Sequence, residues 1–233
     1  EVEKAVTART KAIIVNTPHN PSGTVMSETD ITELAAIVEK HDLIVISDEV
    51  YEHVVFPRKR HVSPLSNEAI RRRGVLVASF GKTFSVTGWR LGYGVMPEWL
   101  VDPVNKLMVN SNSCTASMVQ RAGLAALTGP QDAPLAMVAE FRRRRDAFIA
   151  GLNTIPGFRC PIPQGAFYAF PNIEGTGRTS KQLADELLYE AGVACLNGGS
   201  FGQFGNGYVR FSYANSLENL MEAVERMRRH LTK

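Results

Sequence analysis

The sequence predicts an α/β fold in which a mostly parallel sheet is flanked by helices and followed by a smaller α+β region. Three apolar, β-branched runs have the length and composition of buried strands: 12–16, 43–47 and 75–79. Helical patterns at roughly 28–41 and 65–73 separate these runs, and this alternation favours parallel pairing with right-handed crossovers. After Pro156 and Gly157 the pattern changes to short strands, which predicts the second region.

The first half of the chain supplies the expected parallel sheet. The run AIIVN at 12–16 is typical of a strand buried on both faces, and it ends at the turn TPHNPSG. Ser27 is expected to cap the helix at 28–41, with Asp30 as its capping partner. The apolar face of that helix comprises Ile31, Leu34, Ala35, Ile37 and Val38. A fourth strand is expected at 91–95.

The second half of the chain is helical at first and then mixed. Helices are expected at 112–127 and 132–153, with a further helical segment starting near 98–100. The buried stripe of the 132–153 helix comprises Met137, Phe141, Phe148 and Leu152. Short strands at 158–160, 166–170 and 208–214 alternate with helices at 180–191 and 216–231.

Composition and charge exclude several classes of function. The chain has 233 residues, of which 44% are apolar and 21% charged, as in ordinary globular proteins. A formal net charge of +3 argues against a nucleic-acid binder, and the arginine clusters at 71–73 and 142–145 are expected on solvated helix faces or ends. No apolar run approaches the ~20 residues that span a bilayer, so neither nucleic acid nor a membrane is an expected partner.

The cysteines and the start of the chain bear on its compartment and extent. Cys114, Cys160 and Cys195 are far apart, odd in number and without a CxxC pattern, so we expect free thiols, no metal site and a reducing, cytoplasmic location. No signal-peptide pattern is present. Residues 1–11 resemble the tail of a helix and lack a starting Met, so we expect the chain to begin inside a domain.

Polar side chains follow each of the three expected parallel strands. Asn20 follows the first strand, Asp48 and Tyr51 the second, and Ser79 and Lys82 the third. In such sheets ligands bind at the carboxyl ends of the strands. The sequence therefore predicts a ligand site at that edge.

Each of these residues allows two interpretations. Lys82 is either a solvated surface charge or, when buried beside cationic groups, a nucleophilic amine able to form a Schiff base. Arg90 either makes a structural ion pair or joins Ser79 in holding a phosphate. Asp48, which ends an apolar strand, needs a partner such as a helix N-terminus or a protonated ring nitrogen. Tyr51 can project its hydroxyl in the same direction.

Asn20 and Arg210 are the other two candidates. Asn20 is either a turn residue or an amide that donates to a phenolate oxygen. Arg210 interrupts the apolar strand at 208–214. It either binds a substrate carboxylate through two parallel hydrogen bonds or lies on a solvent-facing side of the strand. The pattern alone leaves both alternatives open.

Five collinear stretches together resemble the class I and II pyridoxal-phosphate-dependent aminotransferases of the aspartate aminotransferase fold type. They are NTPHNPSG, SDEVYEHVVF, SFGKTFSVTGWRLGY, GAFYAFPNI and YVRFSYANS. The match runs through the whole chain in order. Any one stretch would be only suggestive, whereas five in the same order are specific.

The resemblance implies a role for each candidate residue. It implies that pyridoxal 5′-phosphate is held by Asn20, Asp48, Tyr51, Ser79, Lys82 and Arg90. Within that set, Lys82 resembles the Schiff-base lysine, which also carries the proton between the substrate Cα and the cofactor C4′. Asp48 resembles the partner of the pyridine nitrogen, which keeps the ring protonated as an electron sink. Asn20 and Arg210 resemble the substrate-binding pair, with Arg210 holding the α-carboxylate.

The resemblance also implies an organisation. Residues 1–130 resemble the C-terminal portion of a large cofactor-binding domain and residues 131–233 a small domain, in a protein that forms homodimers. Family members carry a longer N-terminal part with the first sheet strands, a helix-start phosphate loop and an aromatic residue that stacks on the ring. We therefore expect an N-terminally truncated chain with an incomplete large-domain sheet and exposed sheet edges, which binds the cofactor poorly and is inactive alone.

The implied reaction is transfer of an amino group from an amino acid to a 2-oxo acid. A β-eliminating carbon–sulfur lyase on the same scaffold needs the same lysine, aspartate and arginine, so it remains an alternative. A non-catalytic domain that kept the fold is a second alternative, against which the intact residue set argues. No arginine for a second substrate carboxylate is identifiable, so aspartate specificity is not predicted.

Overall fold

The computed structural model describes residues 1–56 and 60–232, which form two compact units. Unit 1 comprises Glu1–Pro18 and Val25–Pro134, and unit 2 comprises His19–Thr24 and Leu135–Lys233. The second unit thus includes a six-residue segment from near the start of the chain. The functional division into domains at 1–130 and 131–233 stays a prediction.

Unit 1 contains a four-stranded mixed sheet. Its strands are β1 (Ala12–Asn16), β2 (Ile44–Asp48), β3 (Gly74–Ser79) and β4 (Gly92–Val95), in the order β1-β2-β3-β4. The first three strands are parallel and β4 is antiparallel to β3. Asp48 pairs with Asn16 on one side and Val77 on the other, so it lies at the carboxyl edge of the parallel strands. The α/β class and the three parallel strands are confirmed.

Apart from a one-turn helix at Phe80–Thr83, the helices of the described residues follow the expected order, although the helix expected from 112 begins at Ser117. Those up to residue 83 are α1 (Val2–Ala5), α2 (Glu28–Lys40), α3 (Glu68–Arg71) and α4 (Phe80–Thr83). Those after it are α5 (Glu98–Ser111), α6 (Ser117–Thr128), α7 (Asp132–Leu152), α8 (Ser180–Tyr189) and α9 (Leu217–Leu231). None of the helices in this part of the chain combines the length and apolar character needed to cross a membrane.

Helix α2 forms as its sequence predicts. The Ser27 hydroxyl accepts from the Asp30 N–H at 3.1 Å, and the Asp30 carboxylate accepts from the Ser27 N–H at 2.7 Å, which completes a capping box. One face of the helix packs against the sheet and buries Ile31, Leu34, Ala35 and Val38, while Ile37 is half-buried. This packing attaches α2 to the strands that carry the candidate site residues.

Strand β1 contradicts the expectation of burial on both faces. Ile14 is 72% exposed, although Val15 is half-buried in the core of unit 1. The Ile14 side chain points to the face of the sheet opposite α2, where Val77 of β3 is also exposed, so this face is the less covered one among the described residues. A continuous apolar run does not show by itself whether one face or both are covered.

Unit 2 contains a small antiparallel sheet. Its strands are β5 (Tyr168–Ala169), β6 (Leu196–Asn197) and β7 (Val209–Ser212), in the order β5-β7-β6. The expected strand at 158–160 is wrong, because Arg159 makes only a single bridge with Asn172. The strands expected at 166–170 and 208–214 are shorter than predicted. Prolines at 161, 163 and 171 lack the N–H that a longer ladder would need.

The core of unit 2 lies between this sheet and two helices. Phe148 of α7 is 1% exposed, and its ring meets that of Phe211 on β7 edge to face, with centroids 5.9 Å apart. Helix α9 adds Leu220, Val224 and Met227 to the interior. The core therefore holds β7, which carries Arg210, against two long helices.

Candidate active site

Lys82 lies one helical turn beyond the carboxyl end of β3. It belongs to the one-turn helix α4, which the sequence pattern did not predict. Ser79 caps that turn, since its hydroxyl oxygen accepts a hydrogen bond from the Gly81 N–H at 3.1 Å. Because Lys82 belongs to this capped turn, the Ser79 hydrogen bond also fixes the direction in which the Lys82 side chain leaves the backbone.

Tyr51 and Lys82 are brought together by neighbouring strand ends. The Lys82 Nζ lies 5.8 Å from the centroid of the Tyr51 ring, within the range of a cation–π contact. Tyr51 is 3% exposed, so its ring is fixed by packing, and Lys82 is half-buried. The two residues that the sequence assigned to one edge thus meet there.

Asp48 retains hydrogen-bonding capacity at the same edge. Its backbone carbonyl accepts from the Thr17 N–H and from the Asn16 side-chain amide, both at 3.0 Å. Its half-buried carboxylate accepts, among the described residues, only a long 3.4 Å hydrogen bond from the Val50 N–H. A partly desolvated carboxylate with spare acceptor positions suits a cationic or protonated ligand group.

Ser79 and Arg90 lie close together where β3 pairs with β4, but they make no hydrogen bond to each other in the described part of the chain. Ser79 pairs with Gly92 across β3 and β4, which places Arg90 just before the paired position. Arg90 is exposed and has a left-handed backbone with φ 54°, and its Nη1 donates to the Thr87 carbonyl at 2.9 Å. The residue also lines a cavity of about 1160 Å³ between the sheet and helices α5 and α6. Joint phosphate binding by Ser79 and Arg90 stays a prediction.

Arg210 and Asn20 meet within unit 2 although 190 residues separate them. The Arg210 Nη1 donates to the Asn20 Oδ1 at 2.8 Å. The guanidinium carbon lies 4.3 Å from the Tyr168 ring centroid and 4.9 Å from that of Phe201. The Arg210 Nε is buried, and no described residue accepts its hydrogen.

This arrangement prepares Arg210 for an anion. Two aromatic rings and one amide hold the guanidinium plane, so little conformational freedom remains to be lost on binding. A buried N–H without an acceptor costs free energy until a ligand supplies one. A carboxylate that accepts from two guanidinium N–H groups would satisfy the Nε. The interpretation of Arg210 as a mere surface residue is therefore the weaker one.

The turn 19–24 holds Asn20 in place. Gly23 has φ +70°, and a Cβ at this position would lie 2.5 Å from the Cβ of Pro163. The Gly23 carbonyl accepts from the N–H groups of Gln164 and Gly165 at 2.8 and 2.9 Å. Glycine is therefore required where the turn approaches the backbone of 163–165.

Sequence reasoning missed two groups of residues near the predicted ones. His19 Nδ1 lies 2.7 Å from the Ser22 hydroxyl, and burial lowers the pKa of His19 below its ordinary value. Glu49 is fully buried next to Asp48 and contacts His61 and Ser63. The one signal in the sequence was a second acid directly after Asp48, since its partners lie more than ten residues away. Within residues 1–56 and 60–232, no three His, Cys, Asp or Glu side chains group as metal ligands would.

Comparison with known proteins matches the chain to one family. The family model described as "Aminotransferase class I and II" matches residues 1–227. The aspartate aminotransferase of Pyrococcus abyssi is 42% identical over 233 residues, which cover 99% of this chain and 60% of that protein. The aromatic-amino-acid aminotransferase 2 of Thermococcus litoralis is 40% identical, with coverage of 99% and 60%.

Solved structures give the same result for the fold. The aromatic aminotransferase from Pyrococcus horikoshii superimposes with a TM-score of 0.96 at 43% identity, covering 99% of this chain and 62% of that one. The aspartate aminotransferase from Rhizobium meliloti has a TM-score of 0.95 at 34% identity, with coverage of 99% and 60%. The chain spans about 60% of the length of the curated relatives it matches. The family model nevertheless matches nearly all of this chain, which therefore belongs to the class I and II aminotransferases.

Proposed function

We propose that this chain serves the transfer of an amino group from an amino acid to a 2-oxo acid. The observation that carries the proposal is the meeting of Lys82 and Tyr51 at the sheet edge where Asp48 has acceptor capacity left. An amine, a phenol and a carboxylate at one edge are the groups that a protonated pyridine aldehyde requires. Membership of the family supports the same reaction class.

Class I and II aminotransferases of the aspartate aminotransferase type use pyridoxal phosphate, and the residues of this chain fit that group. When bound, the cofactor supplies an electron sink. The Asp48 carboxylate would accept the hydrogen of the ring nitrogen, and Tyr51 would donate its hydroxyl to the ring oxygen. The roles of Asn20, Ser79 and Arg90 as further cofactor ligands stay predictions.

Lys82 has two tasks in this proposal. Its amine would hold the cofactor through the aldehyde group, with loss of water, and once displaced by the incoming amino acid it would carry a proton between the substrate Cα and the cofactor C4′. Tyr51 limits the positions of the Lys82 Nζ, since its ring is buried beneath that amine. Restricted motion of the base keeps the proton transfer between those two carbons.

The substrate class follows from Arg210. A held guanidinium with an unsatisfied buried Nε suits the α-carboxylate common to amino acids and 2-oxo acids. The names of the relatives include both aspartate and aromatic-amino-acid aminotransferases, so the substrate side chain is not assigned. Homodimer formation and weak cofactor binding by this chain alone stay predictions.

Replacing Arg210 with lysine is expected to weaken binding of a 2-oxo acid about tenfold or more, because lysine keeps the charge but cannot form two parallel hydrogen bonds. Binding is measured by isothermal titration with 2-oxoglutarate, and the diester of the same acid serves as the ligand without carboxylates. Arg159→Lys, on an exposed site of the same unit, is the matched control and is expected to change nothing. Equal affinity in all three proteins would contradict the assignment of Arg210.

The reaction class is tested by product analysis. The chain is incubated with pyridoxal phosphate and an amino acid, and the background of the Lys82→Ala variant is subtracted. Any turnover above that background should give pyridoxamine phosphate and a 2-oxo acid in equal amounts, since the amino group passes to the cofactor. Release of ammonia, pyruvate and a thiol from an S-alkylcysteine, with water consumed, would instead identify the lyase.

A further inference from the structure

Glu49 is a fully buried carboxylate next to the candidate site. Its side chain is 0% exposed, and both of its oxygens are engaged. The Ser63 hydroxyl donates to Oε1 at 2.7 Å, and the His61 Nε2 lies 2.5 Å from Oε2. Ser63 in turn accepts from the Leu65 N–H at 3.2 Å. One carboxylate thus joins the end of β2 to the segment 61–65.

The backbone of Glu49 is tied just as firmly. Its N–H donates to the Val77 carbonyl at 2.9 Å, which attaches it to β3. Its carbonyl accepts from the Glu52 N–H at 2.9 Å, which closes the turn that contains Tyr51. Asp48 immediately precedes Glu49, and Tyr51 follows two residues later. A rotation of the Glu49 backbone would therefore change the directions of the Asp48 and Tyr51 side chains.

His61 acts as the donor in this arrangement. Its side chain is 9% exposed, and its Nδ1 is buried with no hydrogen-bond partner among the described residues. The tautomer with hydrogen on Nε2 satisfies Glu49 and leaves Nδ1 as an acceptor rather than as a buried donor. The hydrogen-bonding pattern thus favours a single orientation of the imidazole.

Stability alone does not account for a carboxylate at this position. Buried charged groups can often be replaced by apolar residues of similar volume without loss of stability, because desolvation offsets much of the attraction. Directional hydrogen bonds to two fixed partners give a defined orientation instead, which apolar packing supplies less strictly. A defined orientation of Glu49 matters here because the adjacent residue, Asp48, is the one proposed to contact a ligand.

We propose that Glu49 is a positioning residue, which fixes the turn that presents Asp48 to the pyridine nitrogen and Tyr51 to the ring oxygen of the cofactor. The inference rests on the proposed function, since it assumes that Asp48 meets the ring nitrogen. Glu49 itself acts through its neighbours. Its loss should therefore reduce the recognition of that nitrogen more than it reduces binding of the rest of the cofactor.

The test compares pyridoxal phosphate with its 1-deaza analogue, in which CH replaces the ring nitrogen. Each aldehyde is incubated with the chain over a range of concentrations and reduced with borohydride, and the adduct at Lys82 is quantified by peptide mass spectrometry. The apparent affinity for pyridoxal phosphate divided by that for the 1-deaza analogue reports the contribution of the ring nitrogen. Circular dichroism confirms that each variant is folded.

Glu49→Gln is expected to lower this ratio about tenfold, because a misdirected carboxylate loses a charge-assisted hydrogen bond. Ser63→Ala, which removes one hydrogen bond to the same carboxylate, is expected to lower it less and carries the test if Glu49→Gln does not fold. Glu52→Gln is the matched control, since only the backbone N–H of Glu52 bonds Glu49, whereas its side-chain carboxylate accepts from the Tyr93 hydroxyl at 3.4 Å. It should leave the ratio unchanged.

Three outcomes decide between the interpretations. A lowered ratio in the Glu49 and Ser63 variants supports positioning. Equal losses for both aldehydes, or an unchanged ratio, would show a purely structural role and overturn this inference alone. Absence of any preferred adduct at Lys82 in the unsubstituted chain would overturn the proposed function, and this inference with it.

Discussion

Replacing Lys82 with alanine is expected to abolish the covalent capture of pyridoxal phosphate by this chain. An amine condenses with the cofactor aldehyde with loss of water, and borohydride then reduces the C=N bond to a stable secondary amine. In the unsubstituted chain the adduct should concentrate at Lys82, because its amine lies beside Tyr51 just beyond the carboxyl end of β3, the strand with which Asp48 pairs. In the variant the adduct should fall to the level of non-specific lysine labelling.

The measurement is peptide mass spectrometry after reduction, with pyridoxal phosphate at several concentrations. Lys106→Ala is the matched control, since Lys106 is exposed on helix α5. It should remove its own minor adduct and leave the one at Lys82 intact. Labelling that is spread evenly over all lysines in the unsubstituted chain would contradict the assignment of Lys82.

Replacing Phe148 with alanine is expected to lower the free energy of unfolding by about 3–5 kcal/mol. Phe148 is 1% exposed, and its ring packs edge to face on Phe211, so the substitution removes apolar contacts and leaves a cavity. The loss is measured by urea unfolding followed by circular dichroism. Because Phe211 neighbours Arg210 on β7, the same variant should also weaken carboxylate binding.

Phe204→Ala provides a control with the same change of side chain. Phe204 is 89% exposed in unit 2, so its removal should alter the free energy of unfolding by no more than about 0.5 kcal/mol. A similar loss in both variants would show that the cost comes from helix or loop propensity rather than from burial. A loss below about 1 kcal/mol at Phe148 would contradict the packing described for this core.

The parallel strands and the edge where the candidate site lies were predictable from the sequence. Buried strands are apolar along their whole length, so polar residues such as Asp48 stand out where a strand ends. Helix α2 was predictable because its cap and its apolar face both have local signatures. In each case the pattern and its physical cause lie within a few consecutive residues.

Other features depend on contacts that no local pattern reveals. The exposure of Ile14 depends on what covers its face of the sheet, which its own segment does not show. The one-turn helix under Lys82 is too short for a periodic signal. The contacts of Glu49 and the hydrogen bond from Arg210 to Asn20 join residues that are distant in sequence. The residues around each of these side chains do not indicate which distant residue it will contact.

The early segment 19–24 in unit 2 also constrains the order of folding. Asn20 emerges from the ribosome 190 residues before Arg210, so it still lacks this partner after the segment 163–165, which the same turn contacts, has been made. Closing so long a loop carries a large entropic cost that only the finished fold repays. The carboxylate site is therefore expected to assemble among the last events of folding, when the chain is already committed to its native topology.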